Sequence, residues 1–252
     1  MKIFFICSSN PKSKSAFRLM TRQYGQASVD EAACIVVLSG DGMVLKAFHE
    51  NFDKKIPVYG MNRGKTGFLT NNYFKENLTD RILQADEVKF HPLRVIVEKD
   101  NGEMFSDIAI NEVYLLRETH QSAKISIKVN GVLRMRELIC DGLISATQIG
   151  STAYNYSASG PILPVGSRLM AITPISPFRP RNWRGVVLPA DSVLNLEVID
   201  HVRRPVCAVA DYVEYRQAVR VEIFEDKTVT LSLLLDKKNS LENKILNEQF
   251  TI

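Results

Sequence analysis

The apolar residues of this chain change their spacing near residue 90, and that change restricts the fold more than any other feature of the sequence. Before it, short unbroken apolar runs alternate with helical segments: Ile3–Cys7, a helix around Ser15–Tyr24, Cys34–Leu38, a helix at Met43–Asn51, Ile56–Tyr59 and a helix near Glu76–Ala85. Runs that are apolar throughout suit strands covered on both faces, and their alternation with helices predicts parallel βαβ units. Gly25 suits a helix C-terminus. After residue 90 the period becomes two. Leu93–Glu98 runs into Asp100-Asn101-Gly102 and Lys124–Val129 into Asn130-Gly131, and both Asn-Gly pairs signal tight hairpins. Val193–Val198, Val206–Ala210, Ala218–Phe224 and Thr228–Leu234 continue in the same way. Lys238–Phe250 predicts a last helix, with Asn239 and Glu242 as a loose capping box. The expected organisation is an α/β domain over residues 1–90, a β-rich antiparallel domain over 91–236, and a helical segment over 237–252.

Composition narrows the function classes. The chain has 252 residues, 45% hydrophobic and 24% charged, enough for one large core or two smaller ones. Thirty-two basic residues against 28 acidic leave a net charge of only +4, with no long block of one sign. Nucleic-acid binders concentrate positive charge, so that class is disfavoured. The longest apolar stretches, Ile3–Cys7 and Leu231–Leu235, fall far short of a bilayer span, and the N-terminal run is too short for a secretory signal. Cys7, Cys34, Cys140 and Cys207 are far apart in strand-like contexts and read as reduced core thiols of a cytoplasmic protein. The four histidines are equally scattered. His49-Glu50 begins like a zincin helix, but Asp53 stands where the second histidine belongs, so no metal-ligand set is read.

Four segments carry chemistry. The first is Val36–Leu45, where an apolar strand stops at Ser39-Gly40-Asp41-Gly42 and a helix begins at once. Small residues at a helix N-terminus let backbone N–H groups approach a phosphate. Asp41 would repel that anion, so it makes sense as a base for an attacking hydroxyl or as a metal ligand. The plainer reading is a strand–helix turn with Asp41 capping the helix. The second is Gly60–Asn71. Its Gly64-Lys65-Thr66 resembles a phosphate-binding P-loop, but that pattern needs glycine where Tyr59 stands, so a P-loop is rejected. In the third, Asn111-Glu112 interrupts an apolar run; adjacent strand residues face opposite sides, so at least one enters a core or cleft. The alternative is an ordinary strand end. The fourth, Asp141–Thr147 followed by Gly150–Pro161, is rich in hydroxyls, with two tyrosines and an asparagine, and suits a base and ribose better than an apolar core. A surface loop with one helical turn is the competing reading.

In this order the four segments resemble the NAD kinase family. The matching stretches are Ser39–Gly42, Gly60–Leu69, Asn111-Glu112 and Asp141–Pro161, and the likeness spans nearly the whole chain. The resemblance implies a Rossmann-like N-terminal α/β domain, a β-rich domain and a C-terminal helix packing back on the first. It also implies phosphoryl transfer from ATP, or polyphosphate, to the 2′-hydroxyl of the adenosine ribose of NAD, with a divalent cation such as Mg²⁺. Asp41 matches the general base, with Gly40 and Gly42 keeping the turn open. Asn62 falls among the nucleotide-binding positions. Asn111 and Glu112 match the pair that holds the riboses and base, and Asp141, Thr152, Ala153, Tyr154, Asn155 and Ser157 complete that pocket. Thr173–Phe178, with Ser176, resembles a segment contributed across a subunit contact, implying a homo-oligomer, dimer or tetramer. Arg63 and Lys65 are candidates to meet the triphosphate; solvated surface charges are the alternative.

The chain departs from the family pattern at Ser39 and Met43 in the turn, at Ile139 where an arginine is frequent, at Gln148, and at Tyr212-Val213 after Asp211. Two other readings stay open at this point. One is a lipid kinase of the Gly-Asp-Gly superfamily, which the polar Ser151–Ser159 stretch opposes. The other is a protein that binds NAD(P) without turnover.

Overall fold

The computed structural model describes residues 1–64 and 67–250. The chain divides into two compact units, Met1–His91 with Thr228–Ile252, and Pro92–Lys227. The first unit begins β1 (Ile3–Cys7), α1 (Pro11–Tyr24), β2 (Cys34–Ser39), α2 (Asp41–Asn51), β3 (Val58–Asn62), β4 (Thr70–Asn71), α3 (Leu78–Gln84) and β5 (Asp86–Phe90). The second unit holds β6 (Leu93–Lys99), β7 (Met104–Ala109), β8 (Glu112–Arg117), β9 (Ala123–Val129), β10 (Val132–Cys140), β11 (Gly142–Ala146), the short helix α4 (Tyr154–Ser157), β12 (Leu169–Ile175), β13 (Val186–Pro189), β14 (Leu194–Val198), β15 (Val206–Ala210), β16 (Val213–Tyr215) and β17 (Ala218–Glu225). The first unit ends with β18 (Leu231–Leu235) and α5 (Leu241–Phe250).

The first unit is built on a sheet of order β1-β2-β3-β18-β5, with β4 on β3. β1, β2, β3 and β4 are mutually parallel. All six residues of β2 are buried, as a strand covered on both faces requires. Cys34, Val36 and Leu38 pack with Ala16 and Met20 of α1 and Leu78 and Ile82 of α3. Ile35 and Val37 alternate to the other face, where Gly60 lies opposite Val37 and abuts Val44 of α2. Helix α1 starts where the Asn10 side chain accepts from the Ser13 N–H at 2.7 Å and ends at Gly25, whose φ is +80°.

One expectation changes. The run read at Thr228–Leu234 as part of the β-rich domain belongs to the first unit: Leu231–Leu235 pairs with β3 in parallel and with β5 antiparallel. Four of its five residues are buried, so it is a doubly covered strand rather than an alternating one. The first unit is therefore discontinuous in sequence. At the last helix, the Asn243 N–H reaches the Ser240 Oγ at 3.3 Å; the Asn239 side chain, read as part of the capping box, lies outside the described residues.

The second unit is two six-stranded antiparallel sheets, of order β10-β9-β14-β17-β6-β7 and β13-β12-β11-β8-β15-β16. Their shared core joins Val95, Ile125, Leu196 and Val221 from the first with Leu115, Leu143, Ile172 and Ala208 from the second. At the β9–β10 turn Asn130 and Gly131 both have positive φ, 51° and 76°, as a tight hairpin demands.

Candidate active site

The first unit presents Asp41. β2 ends at Ser39, Gly40 is the extended residue before α2, and Asp41 is the first residue of the helix. Its carboxylate does not cap α2. One oxygen accepts from the Phe68 N–H at 2.7 Å and the other from the Leu69 N–H at 3.0 Å. Gly67 permits this seat, because a Cβ there would lie 2.1 Å from Thr70 Oγ1 and 3.0 Å from Asp41 Oδ1. By contrast, a Cβ on Gly40 or Gly42 would meet nothing within 4 Å, so the turn is open on both sides of Asp41. Burial pushes the Asp41 carboxyl above its ordinary range, and the Phe68 and Leu69 N–H groups, the charge of Lys244 and the Thr70 hydroxyl pull it back.

Its neighbours are fixed by buried polar links. Asn62 ends β3 and its Oδ1 accepts from the Gly64 N–H at 2.7 Å. The fully buried Asn71 donates to the carbonyls of Gly60 and Leu234 and accepts from the Asp236 N–H, joining β3, β4 and β18. Arg63 stacks over Tyr73 at 4.1 Å and donates to the Lys12 carbonyl at 3.4 Å. Lys65, the other cation read as a phosphate partner, lies outside the described residues.

The second unit gathers Asn111, Glu112, Asp141 and Tyr154. Asp211 orders the approach to β8, its carboxylate accepting from the N–H groups of Ile110, Asn111 and Glu112 at 2.7, 2.9 and 3.2 Å. Thr147 ties the same stretch to the hydroxyl-rich loop: its Oγ1 donates to the Ile110 carbonyl and accepts from the Gly150 N–H. The backbones touch there, since a Cβ on Gly150 would lie 2.0 Å from the Asn111 oxygen. Glu112 is buried, and its Oε2 has no hydrogen-bond partner among the described residues. Burial raises its carboxyl to about 8, with Asp211 adding to the rise. Tyr154 packs edge-on against Tyr114 at 5.1 Å, and Glu112 and Asp141 both add to the upward shift that burial gives its hydroxyl.

Asp141 accepts from Arg117 Nε at 2.6 Å. Arg117 therefore supplies from β8 the guanidinium that Ile139 cannot. Asn155 is fully buried and spent within the fold, donating to the Ser151 and Pro161 carbonyls and accepting from the Thr173 hydroxyl. It shapes the loop from inside. Thr152 and Ala153 form the turn leading into α4. Tyr154, Ser157 and Ser176 line one cavity of about 340 Å³ with Trp183 and Arg184. Ser176 has φ +46°, a left-handed conformation uncommon outside glycine. Gln148, a departure in sequence, accepts from the Gly166 N–H at 2.7 Å.

Sequence reading passed over Arg117 and Lys244. Neither carries a local signal: an arginine on an alternating strand and a lysine on an amphipathic helix both read as solvated.

Comparisons with known proteins place the chain in a family. The ATP-NAD kinase N-terminal domain model matches residues 5–88 and the C-terminal domain model residues 110–228. The NAD kinase of Caulobacter vibrioides is 44% identical over 250 residues, covering 99% of this chain and 96% of that protein. The chain belongs to the NAD kinase family. The NAD kinase of Rhizobium meliloti is 47% identical over 247 residues, 98% of this chain and 96% of the relative. Among solved structures, an NAD kinase from Archaeoglobus fulgidus in complex with ATP superposes with a TM-score of 0.80 at 20% identity, covering 98% of both chains. Yeast NADH kinase complexed with NADH gives 0.84 at 19% identity, covering 98% of this chain and 86% of that one. These two show a shared fold. Membership of the NAD kinase family removes the lipid-kinase alternative. Among the described residues, no helix is long and apolar enough to cross a membrane.

Proposed function

We propose that this chain phosphorylates the 2′-hydroxyl of the adenosine ribose of NAD, using ATP or polyphosphate, to give NADP, with Asp41 as the general base. The observation that carries the reading is the seat of Asp41: a carboxylate at a helix N-terminus, held by two backbone N–H groups and flanked by glycines that open into space. Burial makes it a stronger base than a free carboxylate, while the donors around it favour its ionised form. As the ribose oxygen bonds to the terminal phosphorus, its proton passes to Asp41, and the bond to the leaving phosphate oxygen breaks. Positioning and charge neutralisation supply most of the catalysis in such a transfer.

Glu112 is the residue best suited to a ribose hydroxyl, because its buried Oε2 lacks a donor. Asn111 precedes it in the chain, Asp141 lies at the far end of the β8–β11 pair, and Tyr154, on which both carboxyls act, offers a ring for the base to stack on. Ser157 and Ser176 contribute hydroxyls to the cavity beside Tyr154.

No three His, Cys, Asp or Glu side chains gather as a metal cage among the described residues. Each Asp41 oxygen accepts one backbone N–H and keeps a lone pair for the ribose proton. A divalent cation such as Mg²⁺ would arrive on the phosphates of the donor, as part of the substrate. The working form is a homo-oligomer, dimer or tetramer, with Thr173–Phe178 at a subunit contact. A reducing cytoplasmic setting suits the free thiols of Cys34, Cys140 and Cys207, all buried.

The test is a coupled assay that varies the donor (ATP, other nucleotides, polyphosphate) and the acceptor (NAD, NADH) with purified protein. NADP formation from NAD is the expected result. Tight NADP binding by calorimetry with no turnover on any donor would overturn it in favour of a binding protein.

A further inference from the structure

Helix α5 brings one cation to the loop that seats Asp41. Leu241 and Ile245 bury one face of the helix. Beside them, Lys244 Nζ donates to the Phe68 carbonyl at 3.0 Å and to the Thr70 carbonyl at 2.6 Å. The Phe68 carbonyl and the Leu69 N–H belong to one peptide group, and that N–H holds an Asp41 oxygen. An ammonium on the carbonyl end polarises the group and strengthens the bond at its N–H end.

Among the described residues, the charges that act on Lys244 are Asp41 on α2 and Asp236 after β18. Asp236 is already taken, by Arg81 at 2.6 Å and by the Tyr59 hydroxyl at 2.6 Å. Among the described residues, Lys244 is the one charged side chain acting on the Asp41 carboxyl.

We propose that Lys244 is a positioning residue for the phosphoryl transfer, fixing the Phe68–Thr70 backbone against Asp41 and holding its carboxylate in the ionised, proton-accepting form. The proposal rests on Asp41 being the general base. Burial lowers the Lys244 ammonium to about 8 while Asp41 and Asp236 oppose the fall, so the group stays charged at neutral pH under the influence of the carboxylate it serves.

The experiment compares Lys244→Met and Lys244→Arg with the wild-type full chain, reading kcat and KM against pH with NAD and ATP. Lys244→Met is expected to move the acid limb of kcat upward by about one pH unit, as loss of a nearby opposite charge does. It should also lower kcat near neutral pH about 10-fold, with the NAD KM changed by no more than about twofold. Lys244→Arg keeps the charge and should keep the acid limb in place. A folded Lys244→Met chain with the wild-type limb overturns the proposal. If that variant does not fold, ¹³C labelling of aspartate carboxyls in the wild type replaces it. The Asp41 resonance should then show a second inflection near pH 8, where Lys244 discharges, that is absent from Lys244→Arg; its absence from the wild type is equally fatal. Asp41→Asn in parallel separates the two claims. Full turnover in that variant removes the base itself, whereas lost turnover beside an unmoved Lys244→Met limb removes the role of Lys244 alone.

Discussion

Asp41 meets two opposed demands with one arrangement. A base must hold onto a proton well enough to take it, and burial raises its carboxyl accordingly. It must also ionise, and the N–H groups of Phe68 and Leu69 favour the charged form. Asp41→Asn is expected to cut turnover about 10²–10⁴-fold, the usual contribution of one general base, while calorimetry finds dinucleotide affinity nearly unchanged. Glu112 sits in the opposite balance: burial raises it from 4.5 to about 8 and no donor relieves it. The folded chain thus binds a proton there that the unfolded chain has released. This contribution to stability is fully present below pH 4.5 and is lost as pH rises to about 8, at up to ~1.4 kcal/mol per pH unit. Thermal melts across that window should show a shallower decline for Glu112→Gln than for wild type.

At the scale of elements, the return of β18 to the first sheet depends on one buried amide. Asn71 holds Gly60 and Leu234 by their carbonyls and Asp236 by its N–H, so three backbone groups from separate segments lose a partner together if the side chain is cut back. Asn71→Ala should lower the unfolding free energy by about 2–4 kcal/mol, measured by denaturant titration. Helix α4 and the turn before it use the same device at a smaller scale. The Asn155 amide and the Thr173 hydroxyl hold the Gly150–Pro161 loop from within, and the space that a Cβ on Gly160 would need is filled by those two side chains.

At the scale of the whole molecule, the first unit is assembled from two stretches of chain that precede and follow residues 92–227 in sequence. Leu233 and Leu235 are fully buried in its sheet, and Lys244 reaches the loop that holds Asp41. A chain ending at Lys227 should therefore lose cooperative folding of residues 1–91, seen as a missing or strongly lowered transition in circular dichroism melts. Retention of the full transition would mean that β18 and α5 add little to that unit.

The spacing of apolar residues alone determined the alternation of strand and helix up to residue 90 and the hairpins at Asn101-Gly102 and Asn130-Gly131, because period and turn chemistry are local properties. The glycines around Asp41, the Asn111-Glu112 pair and the Gly150–Pro161 loop were likewise legible, as polar and small residues interrupting apolar runs. Tertiary structure decided what those residues touch. It moved Leu231–Leu235 to a parallel sheet, turned Asn155 inward, set Arg117 against Asp141 and brought Lys244 to the Phe68 and Thr70 carbonyls. Each of these pairings spans residues or segments whose meeting is fixed by packing, and no short window of sequence carries the energy that brings them together.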